Sequence, residues 1–346
     1  MIVAVGLSGG VDSSVAAAML REQGHTVIGV TMKLWREGRY LGGERDACFG
    51  PGEAEDIAAS EALCRKLGIE YRVFDCSDEY EAVVLDYFRT EYLAGRTPNP
   101  CVRCNALMKF GVLPNLARKS GIAFDRFATG HYARIREEGG EFHLLRGADG
   151  KKDQSYFLCR LKQAQLKQMM FPLGNYHKTQ VRELAAKYGL DVKDKPDSQD
   201  FYSGDHVELL NAPPRPGNIT DTAGNILGTH EGFWNYTVGQ RKGLGIAAKH
   251  PLYVLEVNAC RNEVVVGSRA DTIRHELKLA DCSWITEAPD GEVQAKVRSA
   301  ANPVPAIYHA GSLEFPDGVS AAAKGQYAVL YRGEEVLGGG IIMEAK

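Results

Sequence analysis

Apolar positions along the first part of the chain come in two periods. Ile2 to Val5 is a short run of small and β-branched residues, and His25 to Met32 and Tyr71 to Phe74 repeat that texture. Such runs, bounded by turn residues, predict buried strands. The segments between them have helical spacing. Val11 to Gln23 places Val15, Ala18 and Met19 on one face, Ala54 to Leu67 is closed by Gly68, and Glu79 to Leu93 follows the third strand. Asp125 to Thr129 is a further expected strand, and a helix is expected from Ala106. Val181, Leu184, Ala185 and Tyr188 mark one more helix, stopped by Gly189. Strands alternating with helix-length segments predict an α/β domain, a parallel sheet with helices packed on it.

The texture changes after about residue 204. Asn211-Ala-Pro-Pro-Arg-Pro-Gly217 is a connector that neither a helix nor a central strand tolerates. Beyond it, short alternating runs dominate: Leu252 to Val257, Glu263 to Gly267, Val293 to Arg298, Gln326 to Tyr331 and Val336 to Ile342. They predict a small central mixed or β domain and then a C-terminal β-barrel. The expected boundaries are 1–203, 204–272 and 273–346.

Composition narrows the class. The 346 residues are 44% hydrophobic and 25% charged, with 41 Lys+Arg against 44 Asp+Glu. That is ordinary for a globular protein and excludes disordered, collagen-like and coiled-coil chains. The apolar start is too short to span a membrane and lacks signal-peptide features. Eight cysteines without a secretion signal point to a reducing cytoplasm and to thiol or metal chemistry. The net charge of −3 hides two basic windows. No acidic residue occurs between Glu91 and Asp125, and from Lys151 to Arg182 seven Lys/Arg stand against Asp153 alone. Phosphate backbones are bound by such stretches, although a solvated helix face has the same composition.

The turn after the first strand carries the clearest chemistry. Gly6-Leu-Ser-Gly-Gly-Val-Asp-Ser13 is neither a Walker A loop nor a dinucleotide fingerprint. It still makes an anion cradle: Gly9 and Gly10 admit close approach, Ser8, Ser13 and Ser14 add hydroxyls, and the N–H groups opening the Val11 helix face the ligand. Asp12 reads as a Mg²⁺ ligand or a helix cap. The string Ser8-Gly-Gly-Val-Asp-Ser-Ser14 resembles the PP-loop of ATP pyrophosphatases, which split ATP between the α- and β-phosphates and adenylate a substrate.

Further strings resemble one branch of that superfamily, the tRNA-specific 2-thiouridylases. They are Thr97-Pro-Asn-Pro-Cys-Val-Arg-Cys-Asn105, Ala128-Thr-Gly-His-Tyr-Ala-Arg134, Lys152-Asp-Gln-Ser-Tyr-Phe-Leu158, Phe171-Pro-Leu-Gly174, Asp197-Ser-Gln199, Tyr236-Thr-Val-Gly-Gln-Arg-Lys-Gly-Leu-Gly-Ile246 and Leu337-Gly-Gly-Gly-Ile-Ile342. The resemblance implies a cytoplasmic enzyme that adenylates the C2 carbonyl of the wobble uridine and lets a protein-bound sulfur displace AMP. It places ATP at Gly6, Leu7, Ser8, Gly9, Gly10, Val11, Asp12, Ser13, Met32 and Gly130. It places tRNA at Asn99, Pro100, Cys101, His131, Lys152, Asp153, Gln154, Arg298, Ser299 and Gln326. His131 equally suits a hydrogen-bonded structural histidine, and the Arg241-Lys242 pair suits a phosphate clamp or a solvated turn. The implied partners are tRNA and a sulfur donor, either a desulfurase or relay protein or inorganic sulfide. Another PP-loop adenylating ligase, or a non-catalytic tRNA-binding relative, are the competing readings.

Cys101 and Cys104 form a C-x-x-C unit at an expected helix start beside Arg103, a setting that favours thiolate. Cys104 aligns with the family's nucleophile. In much of the family a second cysteine follows Asp-Ser-Gln, carries the persulfide and closes a disulfide; here that position is Tyr202. Either the pair performs both roles, or Cys101 and Cys104 ligate a [4Fe-4S] cluster with Cys48 as a distant third ligand. Asp12, Cys101 and Cys104 are the expected catalytic residues.

Overall fold

The apolar run at the start of the chain becomes the centre of a parallel sheet. The structure is a computed structural model that describes residues 1–40, 42, 47–190, 201–202 and 204–346; the Asp197-Ser-Gln199 string lies outside the described residues. The chain divides into two units, the first formed by residues 1–84, 100–206 and 334–336, the second by residues 85–99, 207–333 and 337–346.

In chain order the first unit contains β1 (Ile2–Gly6), α1 (Val11–Glu22), β2 (Thr26–Lys33), α2 (Glu53–Leu67), β3 (Glu70–Asp75), β4 (Arg126–Ala128), β5 (Ala133–Glu138), β6 (Glu141–Arg146) and β7 (Met169–Met170). Its sheet runs β3-β2-β1-β4-β7, all parallel. Val3, Ala4 and Val5 of the central strand are fully buried, and Val15, Ala16, Leu20, Val181 and Ala185 complete the core on one face. Continuous apolar strands are what a sheet covered on both faces requires. Gly68 ends α2 in the left-handed region at φ 61°, as its position predicts.

Two helices depart from expectation. The segment expected as one helix over Glu79 to Leu93 is α-helical at Ser77–Tyr80 and Asp86–Leu93, with a π-helical turn at Glu81–Leu85 between them. The helix expected from Ala106 begins at Pro100, and Cys104–Val112 is π-helical. A π-turn leaves carbonyls for other donors: Gln165 Nε2 donates to the Ala106 and Phe110 carbonyls, each at 2.9 Å. The β5–β6 hairpin was not expected. Its register runs from Ala133↔Arg146 to Glu138↔Glu141 around Gly139 and Gly140, and Glu335 and Val336 extend it from Leu145 and Leu144.

The second unit contains a mixed sheet and a barrel. Strands β8 (Gly217–Thr220), β9 (Ile226–His230), β10 (Tyr253–Asn258) and β11 (Glu263–Gly267) lie in the order β10-β11-β8-β9, with only β11–β8 parallel. Strands β12 (Ile273–Trp284), β13 (Gly291–Lys296), β14 (Val304–His309), β15 (Ser312–Ser320), β16 (Tyr327–Arg332) and β17 (Glu335–Ala345) run β12-β15-β14-β13-β16-β17, and β12 pairs with β17 to close a six-stranded barrel. Leu277, Leu313, Phe315, Leu330 and Ile342 fill its interior. Among the described residues no helix is long and apolar enough to cross a membrane.

Candidate active site

The expected nucleotide residues gather at the carboxyl ends of the parallel strands, where α/β sheets bind ligands. Gly6 ends β1, Met32 lies near the end of β2, and Gly130 follows β4. Leu7 is fixed from both sides: its N–H donates to the Val30 carbonyl at 2.9 Å and its carbonyl accepts from Thr31 Oγ1 at 3.0 Å. Gly9 adopts φ +69°, and a Cβ there would meet the Asp56 backbone at 2.7 Å, so α2 presses directly on the turn. Ser8 and Ser13 hydroxyls are 3.3 Å apart, and Ser14 Oγ donates to the Gly10 carbonyl at 2.8 Å. No side chain caps α1, whose first turn begins at Val11. Its opening N–H groups therefore face the loop as an anion cradle. Gly130 closes the other side. A Cβ there would stand 2.6 Å from the Asp12 carbonyl carbon and the Ser13 nitrogen.

The Asp12 carboxylate is engaged by two neighbouring side chains. Lys178 Nζ donates to both of its carboxylate oxygens, at 2.8 and 2.9 Å, and Tyr132 OH donates to Oδ1 at 2.8 Å. Lys178 is 8% exposed and opens the helix Lys178–Lys187. Asp149 sets its position, Oδ2 accepting the Lys178 N–H and Oδ1 the Lys151 N–H, both at 3.0 Å. These bonds hold the Asp149 carboxyl below its usual range, the Lys178 N–H foremost. Lys178 belongs to the basic window beginning at Lys151, but charge density could not single it out.

Tyr132 leads on to the expected RNA residues. Its N–H donates to Gln154 Oε1 at 3.0 Å, and the Gln154 N–H donates to its carbonyl at 3.0 Å. Asp153 Oδ1 accepts the Gly147 and Ser155 N–H groups while Oδ2 accepts from Arg146 Nε, all at 3.1 Å. The Asp153 and Gln154 side chains thus hold this turn, and Lys152 is half-buried within it. His131 Nδ1 lies 2.7 Å from Thr129 Oγ1, between the Phe110 and Phe171 rings. Burial, reinforced by Lys109, pushes its pKa down to about 3, so the imidazole is neutral and acts by hydrogen bonding. In the second unit, Asn99 Nδ2 donates to Gln326 Oε1 at 3.4 Å, and Gln326 Nε2 donates to the Thr97 and Pro98 carbonyls at 3.2 and 3.0 Å. Arg298 is exposed and Ser299 half-buried after β13. A cavity of about 590 Å³ in that unit, bordered by Arg261, Arg274 and Lys324, includes none of the expected site residues.

Cys101 and Cys104 are both half-buried, and all eight cysteines are thiols. The expected acidification fails at Cys104: burial pushes its thiol up to about 11, against the opposing pull of the Lys109 ammonium. Lys109, and not Arg103, supplies that pull; the Arg103 Nε donates to the Val83 carbonyl at 2.7 Å. Cys104 also lies one turn inside a helix that starts at Pro100. Burial works against the Lys109 ammonium too, but the Cys48, Cys104 and Cys101 sulfurs outweigh it and raise its pKa. Among the described residues no group of three His, Cys, Asp or Glu is arranged to hold a metal ion, so the thiols as placed do not fit the expected cluster.

A parallel sheet with this cradle at its carboxyl edge defines an α/β nucleotide-binding domain. Family models agree: a tRNA methyl transferase HUP domain matches residues 1–202, a tRNA methyl transferase PRC-barrel domain residues 210–268, and an aminomethyltransferase β-barrel domain residues 274–342. The tRNA-specific 2-thiouridylase MnmA of Endomicrobium trichonymphae is 45% identical over 99% of this chain and 99% of its own length. That of Geobacter metallireducens is 42% identical, covering 98% and 96%. The chain belongs to the tRNA-specific 2-thiouridylase family. Among solved structures, a 4-thiouridine synthetase–RNA complex with bound ATP is similar over 61% of this chain and 46% of its own, at 16% identity and a TM-score of 0.36.

Two outcomes follow from this geometry. Lys178→Met leaves the Asp12 carboxylate unpaired beside an anion site and removes a charge-assisted bond of about 1.5–3 kcal/mol; ATP affinity measured by calorimetry should fall roughly 10- to 100-fold. Unchanged affinity would mean that the Asp12–Lys178 pair takes no part in ATP binding. For the thiol, Cys104 alkylation followed by peptide mass spectrometry should accelerate about tenfold per pH unit between about pH 6 and pH 10, since only thiolate reacts. A plateau near neutral pH would mean an acidic thiol. Lys109→Gln should slow the reaction at every pH.

Proposed function

We propose that this chain is an ATP-dependent tRNA uridine 2-sulfurtransferase acting on the wobble uridine of the anticodon. The observation that carries this reading is a chain of neighbouring residues that leads from the nucleotide cradle through Gly130 and His131 to Lys109, which acts on the thiols. Gly130 packs on Asp12 and Ser13, His131 follows it, and Lys109 acts on both His131 and the thiols. ATP lies against Gly6, Leu7, Ser8, Gly9, Gly10, Val11, Ser13, Met32 and Gly130, with Lys178 as the cation beside the phosphates. Asp12 serves that cation rather than Mg²⁺.

The chemistry requires both halves. A urea-like carbonyl oxygen does not leave, but it does once it carries the α-phosphoryl group of ATP. The uridine C2 oxygen attacks that phosphorus, pyrophosphate departs, and a sulfur held by the protein then attacks C2 and expels AMP. A ligase joining an amine to a carboxylate would use the cradle but leave Cys101 and Cys104 without work.

The RNA side is assigned to Asn99, Pro100, Cys101, His131, Lys152, Arg298, Ser299 and Gln326, with Asp153 and Gln154 shaping the turn that presents Lys152. Each phosphate neutralised contributes about −0.7 to −0.9 to the log–log salt slope of tRNA affinity. Lys152→Ala should flatten that slope by about one contact, and a salt-independent affinity would mean the lysines are merely solvated. The test of the whole reading is pyrophosphate release that depends on tRNA, with 2-thiouridine found by nucleoside mass spectrometry after incubation with ATP and a sulfur source. Release without tRNA, triggered by a small amine, would favour the ligase.

A further inference from the structure

One buried side chain stands between the nucleotide cradle and the turn assigned to RNA. Tyr132 is 1% exposed, so its hydroxyl has to find its partner within the protein. That partner is in the first turn of α1, where the hydroxyl donates to Asp12 Oδ1 at 2.8 Å. Two residues earlier on the same strap, Gly130 packs so closely on α1 that a Cβ would stand 2.6 Å from the Ser13 nitrogen. The main chain of Tyr132 serves the RNA side. Its N–H donates to Gln154 Oε1 and its carbonyl accepts the Gln154 N–H, both at 3.0 Å. Gly147 presses on the same carbonyl, since a Cβ there would meet its oxygen at 2.7 Å. Gln154 belongs to the turn of Lys152, whose N–H donates to the Asp149 carbonyl at 3.0 Å.

The connection closes on itself. Asp149 Oδ2 accepts the Lys178 N–H at 3.0 Å, and Lys178 Nζ returns to both oxygens of Asp12 at 2.8 and 2.9 Å. The same ammonium lies 5.9 Å from the centre of the Tyr132 ring. Asp12 is therefore held by two donors of different kind, a cation from Lys178 and a neutral phenol from Tyr132. An anion entering the cradle attracts the cation strongly and the phenol hardly at all. The two donors do not respond alike to a ligand.

We propose that Tyr132 is the positioning residue that couples the two halves of the site, so that a nucleoside triphosphate in the cradle tightens tRNA binding at the Lys152 turn and tRNA tightens binding of the triphosphate; this rests on the ATP and tRNA assignments above. The triphosphate draws Lys178 towards itself, and Asp12 then leans on the Tyr132 hydroxyl, a bond that strengthens because its acceptor is charged. A tyrosine side chain has only two torsions, and the main chain of Tyr132 is held at its N–H and its carbonyl. The pull on the hydroxyl therefore reaches Gln154 and fixes the turn that presents Lys152. In the other direction, RNA on that turn fixes Gln154, keeps the hydroxyl on Asp12 and releases part of Lys178 to the phosphates. Linkage makes the two effects equal in size. The cradle then fills best when the uridine substrate is present, which limits the loss of ATP to water.

The experiment is a binding cycle on the full-length chain, run at one salt concentration because tRNA affinity depends on salt. Fluorescence anisotropy measures affinity for an unmodified tRNA transcript with uridine at the wobble position, with and without saturating α,β-methylene-ATP, which cannot be split between its α- and β-phosphates. Calorimetry measures affinity for that nucleotide with and without the tRNA. The wild-type chain should show the same factor in both directions, about 5-fold or more. Tyr132→Phe removes only the hydroxyl and should bring the factor below about 2-fold. A residue that merely supported the fold would lower both affinities and leave the factor at its wild-type value, and that result overturns the role of Tyr132. Gln154→Leu cuts the path at its RNA end and should reduce the factor too; where Tyr132→Phe does not fold, a wild-type factor in Gln154→Leu overturns the proposal. A wild-type chain that binds both ligands without coupling overturns it as well and leaves the sulfurtransferase reading intact. Failure to bind one or both ligands overturns that reading, and the coupling with it.

Discussion

A carboxylate in the first turn of a helix whose N-terminus is proposed to receive a triphosphate is an electrostatic contradiction, and the first unit is arranged around its resolution. Asp12 is neutralised by Lys178, with both carboxylate oxygens engaged. That pair needs the helix Lys178–Lys187 to begin where it does, which Asp149 secures by accepting two backbone N–H groups. It also needs Tyr132, which fastens Asp12 to the turn holding Lys152. Breaking a partly buried pair costs more than the pair contributes, because one charge is left without a partner. Cradle, hairpin and turn are therefore coupled through one ammonium group, although its partners lie 166 residues apart in sequence.

The thiol side obeys a different constraint. Cys104 loses solvent and its thiol rises to about 11, while Lys109 pulls the other way. A protonated thiol in the resting protein is a poor nucleophile and a poor target for oxidants. His131, which the same Lys109 acts on, is neutral for the same reason, loss of solvent. The positive charge that acts on both Cys104 and His131 is Lys109, on a π-helical segment whose wider winding is satisfied by Gln165. π-Turns concentrate at functional sites because they reposition side chains at the expense of helix regularity.

Much of this was legible in the sequence. The parallel strands, the caps at Gly68 and Gly189 and the Gly-rich cradle follow from local pattern, because buried strands, left-handed caps and anion turns each demand particular residues. Three features were hidden for physical reasons. Lys178 is one of seven Lys/Arg in its window, and only tertiary packing selects it. The π-turns at Glu81–Leu85 and Cys104–Val112 leave no mark on a 3.6-residue period. The acidification expected of Cys104 assumed a helix start at Ala106 and a free Arg103; the helix starts at Pro100 and Arg103 serves the Val83 carbonyl. The β5–β6 hairpin does carry a local signal, alternating residues on either side of Gly139-Gly140.

Tyr202 shows why a departure from a family pattern should be read through packing before chemistry. A cysteine replaced by tyrosine reads, on the sequence alone, as the loss of a sulfur carrier. In the structure the ring belongs to an aromatic cluster with Trp35, Tyr40, Phe49 and Tyr80, which rigidifies the loop around Cys48. Aromatic contacts of this kind add about 0.5–1.5 kcal/mol each beyond the area they bury. The substitution therefore removes a thiol from one strand of chain and strengthens the anchorage of another that bears one. The Phe49–Phe201 hydrogen bond joins the two segments along the backbone as well, so packing and main-chain pairing act on the same stretch of chain.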